Sequence, residues 1–552
     1  MVLSCMLTAC VATLFSQAPT PLWGKAVEAP KQTQGCDIKI GGDGCLYITG
    51  NAGTRQTDDK ITLGSDLLAT GTQYRGTNDN SKVQMLFLSK LSADGSPLWT
   101  VRSDDAEVGS NCQWLQPVAD GVVLFTVMRH TDKGGAYSPA IVDAAGTRYS
   151  LDWTLPEGVN SRHYIGIVAK FDNDGRLQWL RKMLTSETVS ETIGANAIAT
   201  DSYGSLWIAG MIKGQVTMAK ADGTTVTLAP QYAEGDMLLV KLDGDGYYQS
   251  HLQATGTAQR LNIAKLCWSD DRMYLLGFAK GTADGTTGTV AIGGRDIAWD
   301  SSRESPFTAA LKADMTADWL QLYPSQRGST LQWCGLTVGK DNLWVTGTSQ
   351  LSLTTATGKT LDYGDLTRAA MLLKIDKANG QLSDGHLRFD NQTGYFAAFE
   401  STDGQLYVLN HQGVVLNTYP NGGPMWIEQF NPADLSAPVG SWDAMIANAT
   451  GAQGIELNAD GTLFTMTRTK VVPNALCGSA MTVQQTEADY ACNVCAFKLP
   501  VSPIVSGISE IAHDESVNGK QTVGQRYDLQ GRRLGKRPVR GIWIENGRKY
   551  SR

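Results

Sequence analysis

The 552-residue chain is short of charge. Asp, Glu, Lys and Arg make up 18% of it, against about a quarter in an ordinary soluble domain. Histidine is scarcer still. The six present are His130, His163, His251, His386, His411 and His513, and none has a metal-ligand neighbour at short spacing, so each reads as a packed or surface side chain. Gly-x-Ser-x-Gly, His-Glu-x-x-His and P-loop patterns are missing, which removes the hydrolase, metalloprotease and nucleotide-binding classes that carry them. No metal site and no cofactor are expected. Beyond the N-terminal segment no apolar run is long enough to span a bilayer. There is no long amphipathic pattern of helical period either, which argues against a helical bundle.

What the chain has is glycine, 59 residues of it, with 14 Trp and 18 Tyr. Plentiful glycine and aromatics with little charge read as an all-β protein with many tight turns. One stretch sets the pattern: Asp341-Asn342-Leu343-Trp344-Val345-Thr346-Gly347, a polar turn pair, a short apolar run and a glycine. Related stretches begin at Leu46, Val123, Leu206, Met273, Leu406 and Leu463. They recur about every 70 residues, the signature of a repeat architecture, with a longer period than the roughly 40–45 residues of WD-type blades.

A second unit alternates with the first. It reads Leu88-Ser89-Lys90-Leu91, then Asp94-Gly95 and Leu98-Trp99, and again Val168 to Phe171, Asp174-Gly175 and Trp179. Later copies are Leu239 to Leu242 with Asp245-Gly246, Ala310-Leu311 with Trp319, Leu373 to Ile375, Glu428 to Phe430, and Phe497 to Leu499. Asp-Gly between alternating strands marks a hairpin, because both residues accept positive φ. Together the units describe four-stranded antiparallel blades, which must stack radially to bury their faces. The expected fold is a seven-bladed β-propeller. Its last copy has no Trp strand, whereas the N-terminus has an orphan one, Pro21-Leu22-Trp23-Gly24-Lys25-Ala26. That strand is expected to complete the seventh blade and close the ring. The surplus length falls between second and third strands, as in 52–83, 211–235 and 278–305, where Thr225 to Leu228 and Val290 to Ile292 predict further extended segments.

The segment from Met1 to Ala18 is apolar and ends in small residues, which fits a secretory signal cleaved near Ala18. Leu7-Thr8-Ala9-Cys10 also fits a lipoprotein box, but the apolar run continues past Cys10. An exported chain can oxidise its cysteines. Cys477, Cys492 and Cys495 crowd into the last repeat, either as a structural staple or as free thiols; a redox Cys492-x-x-Cys495 pair is less favoured. Net charge is −7, yet residues 513–552 carry +6 and leave −13 on the rest. An acidic body does not suit a nucleic-acid partner.

Two resemblances follow from these residues. The unit Gly-x-Leu-(Tyr/Trp)-(Ile/Val)-x-Gly with (Leu/Val)-x-Lys-Leu-x-x-Asp-Gly-x-x-x-Trp, over residues 21–502, resembles bacterial β-propeller repeats of SBBP type. The tail, Tyr527-Asp528-Leu529-Gln530-Gly531-Arg532-Arg533-Leu534 followed by Arg540-Gly541-Ile542-Trp543-Ile544, resembles the C-terminal sorting domain of the Bacteroidota type IX secretion system. The resemblance implies that Tyr527, Asp528, Leu529, Gly531, Arg532, Gly541, Ile542 and Trp543 form a sorting signal. It also implies that the partner is the type IX machinery and that the protein is released or anchored at the cell surface. The domain reading is a signal peptide over 1–18, a propeller over 19–502, a linker over 503–512 and a sorting domain over 513–552. Tyr527 to Leu529 and Ile542 to Ile544 read as two strands around a Gly-Arg-Arg turn.

Chemistry is sparse. Ser92-Ala93-Asp94-Gly95-Ser96-Pro97-Leu98-Trp99 approaches a sialidase Asp-box but has its Gly one place early, and reads as a hairpin. Asp172-Asn173-Asp174-Gly175 and Asp243-Gly244-Asp245-Gly246 could start calcium loops but lack the twelfth-position Glu and fall at turn positions. Trp99, Trp179 and Trp319 share one repeated slot, as packing residues would. The functional expectation is a binding module for a glycan, a protein or an envelope component. The alternative is a polysaccharide lyase or glycoside hydrolase, which would need two channel carboxylates about 5–9 Å apart. The inner strands offer Asp37, Glu400 and Glu456.

Overall fold

The structure is a computed structural model. It describes residues 19–54, 57–71, 83–130, 139–153, 163–185, 193–281, 288–299, 304–323, 332–349, 352–362, 369–388, 393–401, 404–412, 425–443, 449–469, 475–476, 479–480 and 491–499, and in the tail 526–527, 533–534, 542–545 and 548–551. It divides into two compact units, Met1–Ser502 and Pro503–Arg552. The described residues form strands and turns without a helix. No helix among them is long and apolar enough to cross a membrane, a statement that leaves β-barrels aside.

In the first unit, antiparallel sheets repeat along the chain. Sheet one is Thr33–Ile40, Leu46–Thr54, Val83–Leu91 and Pro97–Asp104; sheet two is Glu107–Val118, Gly121–His130, His163–Asp172 and Leu177–Thr185. Sheet three is Ile193–Thr200, Leu206–Ile212, Asp236–Leu242 and Tyr248–His251; sheet four is Arg260–Ser269, Arg272–Lys280, Glu304–Leu311 and Ala317–Leu322. Sheet five is Gln332–Val338, Asn342–Ser349, Ala369–Asp376 and Leu382–Arg388; sheet six is Thr393–Glu400, Leu406–Gln412, Met425–Phe430 and Gly440–Asp443. Sheet seven takes Ala449–Leu457, Thr462–Thr469 and Ala491–Lys498 from the end of the chain and Thr20–Glu28 from its beginning. Thr20 lies opposite Lys498, and Val27 opposite Cys492.

The first strand of each sheet packs beside the first strand of the next, and Ala449–Leu457 packs beside Thr33–Ile40. These strands therefore stand at the centre, with the other three of each sheet running outward. That is the plan of a β-propeller. The first strands are bulged at one recurring place, after Gly35, Ala195, Ile263, Trp333, Tyr395 and Ala452. One extra residue there bends the strand and raises its twist.

The repeated letters hold neighbouring sheets together. Trp99, on the fourth strand of sheet one, donates its indole N–H to Asn173 O (2.9 Å) in the turn of sheet two. Trp179 reaches Gly244 O of sheet three (3.1 Å), and Trp319 reaches Lys377 O of sheet five (3.1 Å). Trp23, from the N-terminal strand, reaches Ala93 O of sheet one (3.0 Å). Each turn offers a glycine beneath the incoming ring. At Gly95, φ is 76° and an added Cβ would lie 2.9 Å from the Trp23 ring, so both backbone and space exclude a side chain. The same juxtaposition recurs at Gly175 under Trp99 and Gly246 under Trp179. The Asp-Gly-x-x-x-Trp pattern is thus a clasp between sheets, and the Ser92–Ser96 stretch is a hairpin turn closed by Gly95 N to Ser92 O at 2.9 Å.

Three of the surplus segments extend the sheet that precedes them, whereas Gly288–Ile292 with Arg295–Trp299 pairs with Thr255–Gly256 in a separate sheet and Leu353–Thr354 pairs only with Thr360–Leu361. Lys60–Leu63 with Asp66–Thr70 adds to the outer edge of Thr20–Glu28. Ala140–Val142 with Arg148–Ser150 adds to Pro97–Asp104, and Val216–Ala219 with Thr225–Leu228 adds to Leu177–Thr185. These hairpins cover edges that would otherwise be open to another chain.

The second unit contributes a small antiparallel sheet in which Arg526–Tyr527 lies between Arg533–Leu534 and Ile542–Glu545, followed by Arg548–Ser551. Tyr527, Ile542 and Trp543 are strand residues here. Asp528, Leu529, Gly531, Arg532 and Gly541 lie outside the described residues. Beyond the two strands expected around Tyr527 and Ile542–Ile544, the described backbone adds Arg533–Leu534 and Arg548–Ser551, which also pair.

Candidate functional site

The centre of the propeller is where residues from distant repeats meet. Register places Lys39 opposite Tyr47, Cys267 opposite Tyr274 and Glu456 opposite Phe464. These are equivalent positions on the first strands of sheets one, four and seven. The Lys39 ammonium pairs with the Glu456 carboxylate across sheets one and seven, and lies 3.8 Å from Asp37 Oδ1. Lys39 keeps 35% of its side-chain surface open and Glu456 24%, whereas Asp37 keeps 8%. Burial works against the Lys39 charge, but Asp37 and Glu456 outweigh it and raise the lysine's pKa. Burial also raises the Glu456 pKa, with Lys39 opposing. One ammonium between two carboxylates keeps its proton. Cys267 is close enough to feel both charges, and burial pushes its thiol up.

The three carboxylates expected from sequence all sit on first strands, with separate duties. Asp37 Oδ1 accepts from its neighbour Ile38 N and Oδ2 from Leu115 N of sheet two, each at 2.9 Å. Glu400 Oε2 accepts the Trp344 indole N–H at 2.8 Å, between sheets five and six. Glu456 is held by Lys39. The structure brings Asp37 and Glu456 together around Lys39, and Glu400 stands in a different bond. Lys265, of sheet four, places its ammonium 4.5 Å from the ring centroid of Trp114, of sheet two. Composition gave no sign of Lys39, Cys267, Trp114 or Lys265. Aligning the repeats through the aromatic of the second strand, with one residue fewer in the Asp270-Asp271 turn, puts Lys39, Cys267 and Glu456 in one layer.

The remaining candidates resolve as structure. Asp172 Oδ1 accepts from the backbone N–H groups of Asp174 (3.0 Å) and Arg176 (2.8 Å). Asp243 Oδ1 does the same for Asp245 (3.0 Å) and Tyr247 (2.8 Å). Both are turns closed by their own carboxylate. Among the described residues no group of three or more His, Cys, Asp or Glu could hold a metal ion. Cys492 and Cys495 lie inside the strand Ala491–Lys498, and they enter different packing clusters, one with Phe464 and Val494, the other with Phe497 and Leu463. Residues three apart on a strand point to opposite faces, so Cys492 and Cys495 do not face one another along this strand. Burial pushes the Cys492 thiol up to about 12. Cys477 lies outside the described residues.

Fold and centre define a β-propeller whose central layer carries an ion pair joining the first and last repeats. No protein-family profile matches the chain, and no curated protein matches it. Solved structures do match. A neuraminidase-like protein of A/flat-faced bat/Peru is 10% identical, with a TM-score of 0.33 over 71% of this chain and 89% of that one. A variant of Synechocystis apocarotenoid oxygenase is 10% identical, with a TM-score of 0.32 over 78% and 94%. Virginiamycin B lyase from Staphylococcus aureus is 10% identical, with a TM-score of 0.26 over 55% and 95%. Likeness of this size carries nothing about activity, and the fold rests on the strand pairing described above.

Proposed function

We propose that the chain is an exported, seven-bladed propeller of SBBP-type repeats, closed by the strand Thr20–Glu28, that works as a binding module. Its ligand is a glycan, a protein or an envelope component. Export begins with a signal cleaved near Ala18. It ends with the basic tail, in which Tyr527, Asp528, Leu529, Gly531, Arg532, Gly541, Ile542 and Trp543 address the protein to the type IX machinery for release or surface anchoring.

The observation that carries binding over catalysis is the engagement of the central carboxylates. A lyase or glycoside hydrolase needs one carboxyl group to deliver or take a proton and another to face the sugar. Asp37 spends both oxygens on backbone amides, Glu400 holds an indole, and Glu456 holds Lys39. Ligand recognition then falls to the connections of the propeller, as it does generally on scaffold folds.

A glycan-array screen of the propeller, with release of reducing ends assayed on every hit, tests this reading. Binding without release is expected. New reducing ends would overturn it and return attention to Glu456. Silence on the array would leave a protein or envelope ligand, to be sought by surface cross-linking.

A further inference from the structure

The segment between the second and third strands of sheet two leaves after His130 and returns at His163. On the way its hairpin, Ala140–Val142 with Arg148–Ser150, joins the outer edge of sheet one. Leu151, Asp152 and Trp153 follow. Trp153 is 7% exposed and packs in the core shared by sheets one and two. Its indole N–H donates to Nδ1 of His163 at 3.1 Å, and His163 is 2% exposed. The other ring nitrogen, Nε2, lies 2.8 Å from the carbonyl oxygen of Thr185.

These partners fix the tautomer. An indole nitrogen only donates and a carbonyl only accepts, so the proton is on Nε2 and the lone pair is on Nδ1. A second proton has one place to go, Nδ1, where the Trp153 N–H already points. Charging the ring therefore breaks the bond to Trp153 and leaves a cation in an enclosed site. Burial lowers the His163 pKa, while its bond to Thr185 works the other way.

The charged neighbours do not relieve this. Lys182, on the strand Leu177–Thr185, donates to Leu151 O (2.9 Å) and Asp152 O (3.4 Å) and grips the same segment from its other side. Asp152 accepts from Ser150 Oγ at 2.8 Å. Arg129 and His130 stand opposite Tyr164 and His163 in the ladder; their side chains lie outside the described residues. None of the hydrogen bonds His163 makes among the described residues is to a carboxylate. Asp152 has φ 41°, a left-handed conformation that a non-glycine residue holds only under constraint.

We propose that Trp153 and His163 form a proton-sensitive latch that pins the Leu151–Trp153 segment, and with it the hairpin on the edge of sheet one, and that acid opens it. The latch is complete above the ordinary imidazole pKa of about 6.5 and weakens as pH falls from there toward the lowered value in the folded protein.

Hydrogen–deuterium exchange of the full chain, corrected for intrinsic rates and read on peptides covering 140–153 between about pH 7.5 and pH 5, tests the proposal. In the wild type, exchange is expected to rise, up to about tenfold for each pH unit below 6.5. His163→Gln keeps an acceptor for Trp153 and a donor for Thr185 but cannot titrate, so its peptides are expected to stay protected at both ends of the range. Flat wild-type exchange, or an equal rise in His163→Gln, would overturn the latch. Trp153→Phe is an independent check should His163→Gln fold poorly. With the opposing donor removed, the His163 pKa, read from C2-proton exchange by mass spectrometry, is expected to move up. An unmoved pKa would count against the proposal.

Discussion

The clasp between the N-terminal strand and sheet one makes a quantitative prediction. Gly95 has φ 76°, and a Cβ built on it stands 2.9 Å from the Trp23 ring. Gly95→Ala therefore carries two penalties. The left-handed backbone costs an alanine about 1–2 kcal/mol, and forcing a methyl group against a packed ring costs about 1–3 kcal/mol. Trp23→Ala loses the stacked ring and the bond to Ala93 O, about 3 kcal/mol for a partly buried tryptophan. In the double variant the backbone penalty stays and the collision disappears. Gly95→Ala should then cost only about 1–2 kcal/mol, a coupling of about 1–3 kcal/mol between the two sites. Urea unfolding of the four proteins, followed by far-UV circular dichroism, measures the cycle through the shift in midpoint at constant slope. Equal cost of Gly95→Ala in both backgrounds would refute the clasp and, with it, the assignment of the Asp-Gly-x-x-x-Trp pattern to sheet-to-sheet contact.

Three further outcomes are expected. Burial lowers the pKa of His163, His251 and His386; the unfolded chain then binds more protons near pH 6, so stability should fall as pH drops below about 6.5, and thermal melts in which the midpoint is flat from pH 7.5 to pH 5 would contradict this. Lys39→Met strands Glu456 and should destabilise by about 1–2 kcal/mol, a figure reduced because Lys39 is partly open to solvent, while Lys39→Met with Glu456→Leu should recover most of the loss; chemical denaturation of both variants is the check. Since Asp172 and Asp243 cap their own turns, chelation with EDTA should leave the melting midpoint unchanged, and a marked fall would reveal a structural ion.

Most of the strand order was legible in the sequence because it is written in local chemistry. Asp-Gly turns, the aromatic run before a glycine and the Lys-Leu unit each specify a hairpin or strand within a few residues. Even the pairing of Thr20–Glu28 with Ala491–Lys498 could be read, since one end lacked a Trp strand and the other had a spare. Two features could not be read. Three of the surplus hairpins join the preceding sheet, a choice made by edge pairing across the molecule rather than by their own residues. The central layer joins Lys39 to Glu456, from opposite ends of the chain, at positions where one repeat has lysine, another cysteine and another glutamate. A repeat advertises what its copies share, and this layer is built from what they do not share. Asp37 and Glu456 stand out in the sequence as single inner-strand carboxylates, whereas the lysine between them does not.

The account stands on the pairing of the propeller's first strand with its last. Thr20 and Lys498 are cross-strand partners, and directly opposed antiparallel residues have Cα atoms about 4.5–5.5 Å apart, within reach of a disulfide. Thr20→Cys with Lys498→Cys, oxidised and mapped by peptide mass spectrometry, measures that pairing directly. The account predicts a 20–498 disulfide within one chain and a raised melting midpoint. Two free thiols at these positions under the same oxidation would contradict it.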